Sequence, residues 1–160
     1  MITEKLIIKE SGQYDPEIVA RLSLDGFGIK VIQNLSRCTS IIELSLRNNE
    51  ISMITGLESL STLTKLDLSF NKIKKIDNLT GLLNLQYLDL RRNYISNIAD
   101  IEHLQSLQQL NALFLQGIDG EDANLVCQNP SYVTFILRVL PQLCLLDGMQ
   151  HCGIISLILK

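Results

Sequence analysis

The chain has 160 residues, 46% of them hydrophobic and 19% charged, with a formal net charge of −3, a size that suits one domain. An isoelectric point near 5.3 argues against a protein built mainly to grip phosphate backbones. No apolar run reaches the roughly 18 residues of a membrane span, and the opening MITEKLIIKE has acidic residues and no long apolar centre, unlike a secretory signal; an intracellular protein, cytoplasmic or nuclear, is expected.

Thr3 can start a short helix, and Asp15-Pro16 sets a capping side chain before a proline at a first helical position. Residues 1–18 therefore read as an N-terminal cap over the open end of a core. From Val19 the chain repeats LxxLxLxxN, in steps of 22 residues from Val19 to Ile41, Leu63 and Leu85, and then 25 to Leu110. Leu22, Leu44, Leu66, Leu88 and Leu113 keep this phase, as do Leu24, Leu46, Leu68, Leu90 and Leu115. A period of this size signals stacked supersecondary units. In each unit LxxLxL alternates inward and outward as a short strand, and successive strands pair in parallel about 4.8 Å apart. Asn49, Asn71 and Asn93 end the strands, where a buried amide satisfies backbone groups; Phe27 and Ile118 hold that position in the first and last repeats, so the amide ladder is expected to stop there. Columns such as Ile29, Ile51, Ile73 and Ile95 suit a 3-10 or irregular return.

Beyond Leu115 the pattern loosens, then Asn129 and Pro130 are expected to open a helix with Tyr132, Phe135, Ile136, Val139 and Leu140 on one face. Pro141 stops it, and Leu143, Leu145, Leu146 and the Asp147-Gly148 turn complete the unit. The expected fold is an α/β repeat: a right-handed leucine-rich repeat solenoid with a parallel concave sheet, an irregular or 3-10 convex side and a helical C-terminal cap. The expected organisation is a cap at 1–18, about five repeats at 19–126, a second cap at 127–148, and an apolar tail at 149–160 that either forms an edge element or is an alternative C-terminus.

These features together resemble the short-repeat leucine-rich family that carries a C-terminal LRR cap, marked by NPxY, an apolar helix, LPxL and a closing LDG. Here they read Asn129-Pro130-Ser131-Tyr132, Leu140-Pro141-Gln142-Leu143 and Leu146-Asp147-Gly148, and the resemblance covers residues 2–148. Its members include a regulatory subunit of protein phosphatase 1, a spliceosomal protein, acidic nuclear phosphoproteins and an axonemal dynein light chain. The resemblance implies an intracellular interaction protein and supplies no catalytic residues.

No nucleophile, base and orienting group fall into a catalytic pattern. His103 lies in a return segment, His151-Cys152 lacks further ligands at zinc-site spacing, and Asp119, Glu121, Asp122 and Asn124 lack the order of a calcium-binding loop. No metal and no cofactor is expected. Cys38, Cys127, Cys144 and Cys152 form no CxxC pair and read as reduced. The informative surface is the outward face of the strands. Its columns run Arg21, Glu43, Lys65, Tyr87; Ser23, Ser45, Asp67, Asp89, Phe114; Asp25, Arg47, Ser69, Arg91, Gln116; and Gly26, Asn48, Phe70, Arg92, Gly117. Phe70, Tyr87 and Phe114 stand where a purely structural array would carry polar residues, beside Arg91 and Arg92, and tyrosine and arginine are enriched in binding hot spots. These five residues are the expected partner-binding set of a monomeric, non-enzymatic adaptor or regulatory subunit. Its partner is a protein, with no direct nucleic acid and no membrane. The alternative is a ribonucleoprotein component that holds an RNA-binding protein.

Overall fold

Three-residue strands follow from the alternation, which turns the central leucine of each LxxLxL inward. In a computed structural model, which describes residues 1–151, these are β1 (Arg21–Ser23), β2 (Glu43–Ser45), β3 (Lys65–Asp67), β4 (Tyr87–Asp89) and β5 (Ala112–Phe114), joined by β6 (Leu145–Leu146) and β7 (Met149–Gln150). They form one sheet in chain order. The first six strands are parallel, with Leu22, Leu44, Leu66, Leu88, Leu113 and Leu146 in register, and β7 returns antiparallel to β6. This is the leucine-rich repeat solenoid that the period predicts.

Behind the sheet the aliphatic columns are sealed; Leu66, Leu90 and Ile73 have no exposed surface. Each fully buried side chain of this kind contributes about 1.5–3 kcal/mol. The first three returns are runs of turns, whereas the longer fourth closes with a 3-10 helix, Ile98–Leu104, started by Asn97. At the N-terminal end α1 (Glu4–Ser11) is capped by Thr3, whose Oγ1 accepts from the Leu6 amide at 3.2 Å, and it lies against β1. Asp15 Oδ1 likewise accepts from the Glu17 amide at 3.0 Å.

The asparagine ladder stitches adjacent repeats. Asn71 Nδ2 donates to the carbonyls of Leu68 at 3.0 Å and, in the previous repeat, Leu46 at 2.9 Å, while its Oδ1 accepts from the Ile51 amide at 3.0 Å. Asn49 and Asn93 repeat the arrangement. The ladder does not stop at Asn93, which corrects the sequence expectation. Ile118 is swung out and 65% exposed, and Asn124 enters the core in its place. Asn124 donates to Leu90 and Leu115, both at 2.8 Å, and accepts from the Ile95 amide at 3.0 Å. A carboxylate continues the series: Asp147 Oδ1 accepts from the Leu115 amide at 2.8 Å, and Oδ2 from the Tyr132 hydroxyl at 2.7 Å.

The second helix, α2 (Tyr132–Val139), begins later than Asn129-Pro130 suggests, with Ser131 at its N-cap. The Asn129 side chain accepts instead from the Ser131 amide at 2.9 Å, an Asx turn that bends the chain before the helix. Tyr132, Ile136 and Leu140 are buried and Phe135 and Val139 half-buried, as the spacing predicts. Cys38 and Cys127 are free thiols. Met149 and Gln150 extend the sheet; the rest of the apolar tail, residues 152–160, lies outside the described residues. No helix among the described residues is long and apolar enough to cross a membrane.

Candidate functional site

Side chains that alternate away from the leucine core form the outer face of the sheet, and its two ends differ. Over β1 to β3 the polar groups satisfy one another. Arg21 Nε lies 3.1 Å from Glu43 Oε1, and Asp25 Oδ1 accepts from Ser45 Oγ at 2.6 Å and from the Arg47 amide at 2.9 Å. Between them is a shallow depression of about 240 Å³ lined by Arg21, Ser23, Glu43, Ser45, Lys65 and Asp67.

Over β4 and β5 the face turns aromatic. The rings of Tyr87 and Phe114 lie 5.2 Å apart at a 39° tilt, a geometry in which aromatic pairs attract. Lys65 Nζ sits 5.1 Å from the Tyr87 ring and the Arg91 guanidinium 5.4 Å from that of Phe114, both within cation–π reach. Beneath them Asp89 is fully buried, although alternation assigns it outward. Arg91 forks onto it, with Nε 3.1 Å from both carboxylate oxygens and Nη2 2.7 Å from Oδ2. This hydrogen bond raises the Arg91 pKa first, against desolvation. Burial, then the charges of Asp89 and Asp67, pushes Tyr87 up to about 12, so the phenol stays neutral at physiological pH. Burial likewise raises Asp67, against the Ser69 hydroxyl and amide that donate to it at 2.6 and 2.8 Å.

Tyr87, Arg91 and Phe114 thus come together, while Phe70 and Arg92 do not join them. Both lie in the turns that leave β3 and β4, at left-handed φ of 57° and 54°, on the rim of the sheet. The Phe70 ring carries the Arg47 guanidinium at 4.3 Å. Arg92 faces Asp122 at 3.7 Å. Arg47 and Lys65, placed on this face by their columns but outside the expected binding set, belong to the same surface through their contacts with the rings. Arg91 also serves the fold, because it neutralises a buried carboxylate.

The residues weighed for chemistry are otherwise engaged. His103 Nδ1 lies 2.6 Å from the Ile76 carbonyl, and Asn124 belongs to the ladder and not to an oxygen-rich loop. Among the described residues no cluster of histidine, cysteine and carboxylates has the arrangement of a metal site.

A chain of the Drosophila melanogaster SNF/U2A' complex shares 26% identity, with a TM-score of 0.82 over 98% of this chain and 88% of that one. Internalin C2 of Listeria monocytogenes is 25% identical, with a TM-score of 0.68 over 89% of this chain and 61% of its own. A second internalin from that organism, 19% identical with a TM-score of 0.55 over 89% of this chain and 54% of its own, shares the fold alone. No curated protein matches closely enough to count as a relative. The family model for leucine-rich repeats matches residues 2–151, the whole of the repeat array with both of its flanks, and the chain belongs to the leucine-rich repeat family.

Proposed function

We propose that the chain is a non-enzymatic adaptor or regulatory subunit, monomeric and intracellular, that binds a protein partner on the outer face of its sheet. Tyr87, Arg91 and Phe114 form the centre of that contact, with Phe70 and Arg92 at its margin. The repeats at 19–126, held between caps at 1–18 and 127–148, are the working unit. Within the family we set the chain beside leucine-rich repeat-containing protein 61. That kinship rests on the Ile2-Thr3-Glu4-Lys5-Leu6-Ile7 opening, the stretched fourth repeat and the Leu125–Tyr132 entry to the cap.

One observation carries the reading: a half-exposed aromatic pair, Tyr87 with Phe114, stands on a rigid sheet flanked by cations. Surfaces ordered before binding lose little entropy on association, and aromatic and arginine side chains supply most hot spots. The test is affinity capture from lysate with the parent, with Tyr87→Ser plus Phe114→Ser, and with Lys74→Ala plus Lys75→Ala as a control off the face. The parent and the control should recover the same protein, and the aromatic double variant should lose it while keeping its circular dichroism. Recovery at parental yield by a folded double variant would move the binding face elsewhere.

The ribonucleoprotein reading has its own support in the 26% likeness to a chain of the SNF/U2A' complex. On that reading the same face holds an RNA-binding protein, and the chain meets no RNA directly. RNase treatment separates the two readings: RNA co-purifies with the captured partner only in the second.

A further inference from the structure

The charges of the outer face are unequally satisfied, and the imbalance specifies the partner. Of the carboxylates, Glu43 pairs with Arg21, Asp25 accepts from Ser45 and the Arg47 amide, and the two nearest the aromatic pair are withdrawn: Asp67 is half-buried and accepts twice from Ser69, and Asp89 is buried and clamped by Arg91. Two cations beside the rings have no carboxylate partner. Lys65 is exposed and Arg47 half-buried, and among the described residues neither has a carboxylate within 4.0 Å. Their charges lie instead over aromatic rings, Lys65 over Tyr87 and Arg47 over Phe70, with only a long 3.4 Å contact from Arg47 to Ser69 Oγ besides.

A cation over a ring still lacks a counter-ion, and its far side faces solvent. Next to Lys65, the half-exposed rings of Tyr87 and Phe114 offer an apolar floor on neighbouring strands. An incoming apolar side chain on that floor would bring its sequence neighbours over β3, within one strand spacing, about 4.8 Å, of the free ammonium. Lysine on a partner would find beside that floor only Asp89, buried under Arg91, and Asp67, half-buried on Ser69. Aspartate or glutamate would complete the set.

We propose that the face binds an acidic peptide segment of its protein partner, an aromatic or aliphatic anchor seated on Tyr87 and Phe114 with a flanking carboxylate on Lys65 and, further along, Arg47. This rests on the assignment of the outer face to protein binding and adds the sign and order of the ligand's chemistry.

The full chain, immobilised, is used to select from a random peptide library displayed on phage, and a selected peptide is synthesised and titrated by fluorescence anisotropy. Selected sequences should be enriched in aspartate or glutamate beside an aromatic or aliphatic residue. Lys65→Glu should weaken the peptide about tenfold at low salt, mainly through slower association, Lys65→Arg should retain it, and Lys74→Glu, outside the face, should change nothing. Tyr87→Ser should weaken it at all salt concentrations. Neutral or basic peptides that still depend on Tyr87 would overturn the charge assignment while leaving the binding face intact. Acidic peptides indifferent to both Tyr87 and Lys65 would overturn the inference and the face together, and failure to select any peptide would overturn the inference as well.

Discussion

The first three strands and the next two are built on one repeat, yet they spend their outward side chains differently. Over β1 to β3 an exposed pair, Arg21 with Glu43, and short hydroxyl contacts tie the surface to itself. Over β4 and β5 an equivalent position holds Asp89, with 1% of its side chain exposed and Arg91 laid across it, and the neighbouring columns turn aromatic. The scaffold is therefore indifferent to what its outer positions carry, and the chemistry is concentrated where the regular spacing begins to break. The second half couples its surface to its stability most strongly, through the buried Asp89.

That coupling gives the largest expected effect. Arg91→Ala strands a buried carboxylate and should cost about 3 kcal/mol in urea unfolding. A loss near zero would mean that Asp89 is solvated. Next comes the ladder. Asn71→Ala in the regular half and Asn124→Ala in the stretched half should each cost about 2 kcal/mol, since each leaves buried backbone groups unpaired. A tolerant Asn124→Ala would show that the displaced amide is not equivalent to the regular ones.

A smaller effect is expected from pH. Asp67 has its folded pKa raised by burial above the ordinary 3.8. The folded state then holds its proton more tightly than the unfolded one. Its contribution is fully present below the unfolded value and is lost as pH rises through the folded value. Asp67→Asn, which keeps an acceptor for Ser69, should remove this part of the decline, so the difference between variant and parent should grow with pH above about 4. A constant difference across that range would refute the assignment. Smallest of all, Arg21→Ala should cost under about 1 kcal/mol, as exposed pairs do, and less in high salt. Equal losses for Arg21→Ala and Arg91→Ala would abolish the contrast between the halves.

Periodicity made most of the fold legible. The strands, their parallel register and the amides of Asn49, Asn71 and Asn93 all follow from a 22-residue phase. Asn124 was hidden because the 117–123 loop displaces it from that phase; its signal was an asparagine followed by Leu125-Val126, restoring the asparagine-apolar order of the repeat. At the candidate site the aromatic columns were readable by alternation alone. The depth of Asp89 was not, because alternation gives a side chain's direction and says nothing of what its neighbours lay over it. Phe70 and Arg92 stand apart from the ring pair for a related reason: the alternation of a strand does not continue into a left-handed turn.

The ladder amides also have a direction. Asn71 completes groups of the repeat before it, at Leu46 and Ile51, Asn124 does so for Leu90 and Ile95, and Asp147 does so for Leu115. At the ladder position each of these turns is thus completed by a side chain of its successor. A chain leaving the ribosome N-terminus first holds, at any moment, one trailing unit whose turn is still open to water. Vectorial synthesis and the polarity of the ladder run the same way, and a stop codon within the array exposes the turn of the last unit made.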